Sequence, residues 1–284
     1  MLVTKMDSNF LKWPLVSENE ALKTALEASF VAGAILKKGF FEKFESYMKE
    51  DQSEYTPFDI QAEEIAIREI KKFDRNAVFL SEEISPGENV EDKNFWTIDG
   101  IDGTTNFSRG IPLWNFTMAY VEKGRVKIGI VYVPLQNEMY YAVEGQGAYC
   151  NGKKISIKER PYNESVITFA PLLDVRKNKG KHEKKLVEAL WKGMEKVSKD
   201  SGRFHREFQS GGQELAWVAS GRLDGYASSW TSPWDLSAGV LLVREAGGVA
   251  TNILGQDWQP SYWGVIAGSK TIHREMMKTF SSLI

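Results

Sequence analysis

Apolar residues return at intervals of three and four across residues 18–49, through Ala21, Ala25, Ala28, Phe30, Val31, Ala34 and Ile35, with few strong breakers between them. That interval matches the 3.6-residue turn and predicts a long amphipathic helix. A second helix is predicted over 60–73, where Ala62, Ile65, Ala66 and Ile70 form the apolar side. Asp59 stands just ahead of it, where a carboxylate caps free N–H groups. The rhythm then changes. Residues 77–80 and 95–98 are apolar runs of strand length that end in acidic residues. Residues 116–121, 127–133 and 138–143 read as successive strands, and Gly145, Gly147 and Gly152 mark tight turns. A strand at 165–170 opens the second half, followed by helices at 184–198, 212–220 and 236–246. Helices and strands mix here without strict βαβ alternation and without a solenoid repeat, which predicts stacked layers rather than a doubly wound sheet.

At 284 residues the chain is long enough for one large domain or two closely packed halves. Its 36 basic and 38 acidic side chains leave a net charge of −2, so there is no bulk electrostatic drive toward nucleic acid or an anionic membrane. The basic run 176–185 reads as a solvated face. Cys150 is the only cysteine, which excludes an intramolecular disulfide and a cysteine zinc cage and fits a reducing compartment. No apolar window reaches membrane-spanning length and the first 14 residues do not form a secretory signal, so the expectation is a cytoplasmic protein without a membrane partner.

Candidate chemistry concentrates in Trp96-Thr-Ile-Asp-Gly-Ile-Asp-Gly-Thr-Thr-Asn-Phe107. Asp99 and Asp102 close an apolar strand around a glycine turn, and on a bent backbone they can converge on hard divalent cations, which demand oxygen ligands. Gly103, Thr104 and Thr105 follow as a possible helix start, whose free N–H groups suit a phosphate oxygen. Asp-Gly pairs are also ordinary turn formers. A haloacid-dehalogenase nucleophile pair needs aspartates two positions apart, whereas these are three apart. Ser81-Glu82-Glu83 follows another strand-like run, and Trp234-Asp235 precedes an Ala/Gly/Leu-rich helix that leads to Glu245-Ala-Gly-Gly248. Alone, the first reads as a solvated acidic turn and the second as a helix cap. His182, His205 and His273 lack metal-ligand spacing, and no serine–histidine or cysteine–histidine system is present.

Four blocks in register resemble the inositol monophosphatase family, within the magnesium-dependent, lithium-sensitive phosphatases. These are Ser81-Glu82-Glu83, the stretch from Asp99 to Phe107, Gly129-Ile-Val-Tyr-Val-Pro134 with Gly145-Gln-Gly-Ala-Tyr-Cys-Asn-Gly152, and Trp234-Asp235 through Gly248. The resemblance runs from about Ala21 to about Gly268. It implies a layered αβαβα sandwich, of the inositol monophosphatase and fructose-1,6-bisphosphatase type. It further implies an N-terminal α+β half (1–160) with most metal ligands and a C-terminal α/β half (161–284) with Asp235 and the specificity region.

The implied activity is Mg2+-dependent hydrolysis of a small phosphomonoester by a metal-activated water, with two or three ions. Glu82, Asp99 and the Ile101 carbonyl would hold the first ion, Asp99, Asp102 and Asp235 the second, and Glu82 a looser third. Asp59 and Thr104 would orient the water. Gly103 and Thr104 would bind phosphate, and Ser210, Gly211 and Ser228 would face the substrate. A homodimer is also implied.

Three departures bear on this. Gly100 replaces the usual proline between the aspartates, and Gln209-Ser-Gly-Gly212 replaces a Gly-Thr/Ser-Ala-Ala helix entry. Ser228 stands where animal members carry an inositol-binding glutamate, with Trp230 nearby as a pocket floor or a core residue. The rival substrates are therefore fructose 1,6-bisphosphate, histidinol phosphate and a 3′-phosphoadenosine nucleotide, for which Arg203, His205 and Arg206 offer basic groups. A rival of another class is a non-catalytic metal- or partner-binding relative.

Overall fold

Strand parity organises the molecule. The computed structural model describes residues 8–50, 53–170, 181–200, 206–229, 231–262 and 264–283. The basic stretch 176–180, Arg203, His205 and Trp230 lie outside them. A short 3-10 turn leads into α1 (Glu20–Gly39), capped by Asn19 Oδ1, which accepts from Leu22 N. A small hairpin, β1 (Tyr47–Met48) and β2 (Glu54–Tyr55), precedes α2 (Pro57–Phe73). β3 (Val78–Ser81) and β4 (Phe95–Asp102) follow, then the one-turn helix α3 (Thr104–Ser108). β5 (Asn115–Glu122), β6 (Arg125–Val133), β7 (Glu138–Val143), β8 (Ala148–Cys150) and β9 (Lys153–Ile155) complete a seven-stranded sheet in sequence order. Only the β3–β4 pair in that sheet is parallel.

The second half supplies β10 (Ile167–Ala170), α4 (Lys181–Asp200), α5 (Gly211–Ala219), β11 (Gly225–Ser228), α6 (Pro233–Glu245), β12 (Val249–Thr251), β13 (Val265–Gly268) and α7 (Lys270–Ser281). Its four strands form a smaller sheet in the order β10-β11-β13-β12. Helices α1 and α2 cover the outer face of the large sheet, α5 and α6 lie between the sheets, and α4 and α7 pack together with α7 on the outer face of the small one. This is the expected five-layer αβαβα sandwich.

Both faces of the large sheet are covered, so its strands are apolar on both sides rather than alternating with polar residues. On β6, Ile128, Ile130 and Tyr132 join the core under α1 and α2, while Val131 and Val133 join the core shared with α5 and α6. Gly129 lies on the second face, and a Cβ there would stand 2.9 Å from the Ala238 carbonyl oxygen and 3.0 Å from its Cα. Glycine is what lets α6 lie against the sheet, and α6 carries Asp235.

Three expectations change. The first helix stops at Gly39 rather than reaching residue 49: Gly39 packs on the Phe58 ring with no space for a Cβ, and Phe40 turns into an aromatic cluster with Phe107 and Trp114. Asp59 is not the cap of α2 but its third residue; Thr56 is the cap, and the two close a capping box behind Pro57. β4 runs on past Ile98 to Asp102. Strands β8, β9 and β11–β13 escape the apolar pattern, being three or four residues long, below the length at which alternation can be read; the twelve-residue helix α7 lies beyond the helices the pattern predicts.

Replacing Gly129 by alanine is expected to destabilise the fold by about 1–3 kcal/mol, since the methyl meets backbone rather than a flexible side chain. Chemical denaturation measures this, and an unchanged midpoint would show that α6 has room to retreat.

Candidate active site

A regular strand sends residues three apart to opposite faces, so Asp99 and Asp102 should diverge. They do not, because the pairing slips. Asp99 lies opposite Thr117 and Asp102 opposite Asn115, so three steps on β4 face two on β5. The extra residue is a β-bulge, which turns both aspartates to one side. Gly100 sits in the bulge, and a Cβ there would fall 2.3 Å from the Asp59 carbonyl oxygen. Glycine at this position, the departure noted in the sequence, lets the first turn of α2 close onto the bulge.

Three carboxylates meet beside it. Single oxygens of Glu82, Asp99 and Asp235 all lie within 4.8 Å of one another. Glu82 follows β3, and its corner is braced from behind by Glu63, fully buried on α2, whose carboxylate accepts from Glu83 N and Ile84 N at 3.0 Å each. Asp235 is the third residue of α6, where the helix start favours negative charge and Ser232 N donates to its Oδ2 at 3.2 Å. From the segment between β1 and β2, Lys49 Nζ sits 2.8 Å from Glu82 Oε1 and also contacts Glu83. Burial alone would lower the Lys49 pKa, but the two glutamates outweigh it and raise it.

The electrostatics of this cluster suit a cation. Burial, then Glu82, Asp235, Asp102 and Asp59, hold the Asp99 carboxyl well above the usual range; burial, Asp102 and Glu82 do the same to Asp235. Crowded oxygen ligands that repel one another fit a hard divalent cation, whose charge removes the repulsion.

Asp102 is held differently. Its Oδ2 accepts from Gly212 N at 2.6 Å and from Asn115 Nδ2 at 2.7 Å, and its Oδ1 from Gly211 N at 3.2 Å. Burial pushes its pKa up to about 6, with the three donors pulling the other way. It is outside the three-oxygen group but close enough to raise Asp99 and Asp235. Ile101 O, expected as a ligand, accepts from Thr104 Oγ1 at 2.9 Å. The same hydroxyl lies 3.0 Å from Asp59 Oδ1, while Asp59 Oδ2 is fixed by Thr56 N at 2.8 Å and Thr56 Oγ1 at 2.6 Å. Gly103 precedes α3 with φ of 97°, a left-handed turn tucked against the Leu113 carbonyl.

The expected substrate contacts look inward. Ser210 and Gly211 are buried, and both are committed to Asp102: Ser210 through Asn115 and the Asp102 carbonyl, Gly211 through its N–H. Ser228 is 1% exposed on β11, and its Oγ accepts from Val265 N at 3.2 Å, so the hydroxyl expected toward substrate serves the small sheet. Arg206 is exposed and bridges to β10 at Thr168.

Sequence reading passed over four residues that shape the site: Asn115, Lys49, Glu63 and Asn106. Asn115 and Glu63 carried a signal, as polar residues inside an apolar strand and four residues after Asp59 on a helix. Asn106 and Phe107 close the Asp99–Phe107 stretch but are architectural. The Asn106 amide donates to Leu113 O and Phe208 O at 2.7 Å each, and Phe107 centres a ring cluster of Phe40, Phe44, Phe58 and Trp114.

If repulsion dominates the cluster, metal-free Asp235→Asn melts higher than wild type, by about 2 °C or more for each kcal/mol relieved. It also loses the rise in melting temperature that Mg2+ gives wild type. Differential scanning calorimetry with and without Mg2+ checks both, and a metal-free protein that melts lower would contradict the repulsion argument.

Known proteins bear on this geometry. A model of the inositol monophosphatase family matches residues 17–284. A fructose-1,6-bisphosphatase/inositol-1-monophosphatase of Thermotoga maritima is 33% identical over 81% of this chain and 83% of its own length. An inositol-1-monophosphatase of Mesorhizobium japonicum is 31% identical over 93% and 97%, and the Nus factor SuhB of Escherichia coli 30% identical over 90% and 94%. Among solved structures, a Thermotoga maritima IMPase superposes with a TM-score of 0.81 at 28% identity, covering 93% of this chain and 98% of that one. A family match over nearly the whole length, with the fold and the carboxylate cluster in place, means that this chain belongs to the inositol monophosphatase family.

Proposed function

We propose that this chain is a Mg2+-dependent phosphomonoesterase acting on a small sugar or polyol phosphate, inositol-1-phosphate-like in size. The observation that carries the reading is the meeting of Glu82, Asp99 and Asp235, from three distant segments, beside a hydroxyl already bonded to a buried carboxylate. Glu82, Asp99 and Asp235 would hold Mg2+, two or three ions in all, with Asp102 as a further ligand. The ions, when bound, supply the positive charge that a phosphate monoester needs as it is cleaved.

The chain's own groups supply positioning. Thr104 Oγ1 has one proton and two acceptors in reach, Ile101 O at 2.9 Å and Asp59 Oδ1 at 3.0 Å; with Ile101 O engaged as a cation ligand the proton would go to Asp59, turning the hydroxyl lone pairs to a water. Asp59 Oδ2 is tied by Thr56, so the carboxylate cannot swing away. Gly103 and Thr104, at the start of α3, would orient phosphate through backbone N–H groups. With Ser228 turned into the sheet, no carboxylate stands there to grip inositol hydroxyls. The reading therefore extends to sugar phosphates, in keeping with the double name of the Thermotoga relative. A homodimer is part of the proposal.

A second reading has one observation behind it: relatives named Nus factor SuhB match nearly as well as those named for phosphatase activity. It makes the chain a partner-binding relative. Inorganic phosphate release with and without Mg2+, across phosphorylated polyols, sugars, histidinol phosphate and 3′-phosphoadenosine nucleotides, separates the two. Turnover is expected only with Mg2+, and Asp59→Asn or Thr104→Ala should lower kcat by about 10²-fold or more. Absence of release from every phosphorylated alcohol would favour the partner-binding reading.

A further inference from the structure

Asn115 lies on β5 directly across from Asp102 and is fully buried. Its amide nitrogen donates to Asp102 Oδ2 at 2.7 Å and to Ser210 Oγ at 2.8 Å. Gly212 N reaches the same Oδ2 at 2.6 Å. Two donors therefore occupy Oδ2, while Oδ1 receives a single longer bond of 3.2 Å from Gly211 N. The carboxylate is anchored by one oxygen and left with spare acceptor capacity on the other.

The packing around it is built for this contact. A Cβ on Gly212 would stand 2.7 Å from Asn115 Oδ1 and 2.6 Å from Thr117 Cγ2. Only a glycine there lets the first turn of α5 and the Asn115 amide reach the carboxylate together. The arrangement is also unfavourable for the fold, because Asn115 Oδ1 is buried without a hydrogen-bond partner. Trp114 just before β5 and Phe116 and Met118 within it are buried apolar residues, and Thr117 beside them is buried and polar. An apolar side chain would suit the strand better than an amide with an orphaned oxygen.

We propose that Asn115 is a positioning residue, which pins Oδ2 of Asp102 so that Oδ1 is the oxygen left for a cation bordering the group of Glu82, Asp99 and Asp235. This rests on the reading of that cluster as a divalent-cation site. A ligating carboxylate free to rotate spends part of its time facing away from the ion. Partners that orient such ligands are commonly worth about 10–100-fold in metal affinity.

The test measures Mn2+ binding to the purified full-length protein, by electron paramagnetic resonance of the free ion and by calorimetry, alongside metal-free melting. Asn115→Leu keeps the approximate shape and removes the donor. It is expected to bind Mn2+ at one site at least about tenfold more weakly than wild type. Its metal-free melting temperature is set by two opposing changes, the loss of the orphaned oxygen and the loss of the donor to Asp102 and Ser210, and shows whether the variant stays folded. A loss of affinity confined to one Mn2+ site supports the proposal, because general loosening of the fold would weaken every site. Wild-type affinity in the variant, or equal weakening at all sites, overturns it. If Asn115→Leu does not fold, Asn115→Val is judged by the same criteria. A wild-type protein that binds no Mn2+ fails at the earlier step and removes the cation-site reading itself.

Discussion

Like charges forced together, with Asp99 buried and Glu82 and Asp235 half-buried, are the constraint on which the arrangement depends. Glu82, Asp99 and Asp235 bring oxygens within 4.8 Å of one another, with Asp102 and Asp59 close behind. Left alone, such a group would spread apart or take up protons. Spreading is prevented because each acid is fixed to a rigid element: Asp99 and Asp102 to a bulged strand, Glu82 to a corner tied to α2, Asp235 to the first turn of α6. The raised affinity of Asp99 and Asp235 for protons records the strain that remains. The fold therefore holds in place a concentration of negative charge that only a cation can fully satisfy.

Much of the surrounding structure is a second layer of supports. Glu63 fixes the corner of Glu82, Thr56 fixes Asp59, and Asn115 with the start of α5 fixes Asp102. Each support is itself buried and polar, so each adds desolvation on top of that of the acids it holds. The glycines follow the same logic. Gly100, Gly129 and Gly212 are places where two backbones, or a backbone and a support, approach closer than a methyl would allow. A fold optimised for stability alone would use alanine or a larger residue at such contacts.

What the sequence made legible was whatever is periodic or contiguous. The long strands β5, β6 and β7 were found within a residue or two, because their apolar runs outlast the ambiguity of short segments. The acids around the bulge were found because they share one short motif. What escaped was set by contacts between distant segments. Nothing in the order of residues says that Lys49 returns to Glu82, or that Ser228 turns its hydroxyl to Val265. The slip between β4 and β5 was likewise invisible, since it depends on the pairing of two strands rather than on either alone. Asn115 could have been noticed as a polar residue in an apolar strand, but its partner across the sheet could not.

Asp235 enters the chain well after Asp102 and reaches the cluster only when α6 has docked between the two sheets. During synthesis, the segment bearing Glu82 and Asp99 emerges first, so an N-terminal portion alone holds an incomplete set of oxygens. On the proposed reading, full coordination of a cation would wait for the central helical layer to dock. A bound ion would then act as a clasp between early and late parts of the polypeptide, and its supply would become one of the terms that decide how firmly the sandwich stays shut.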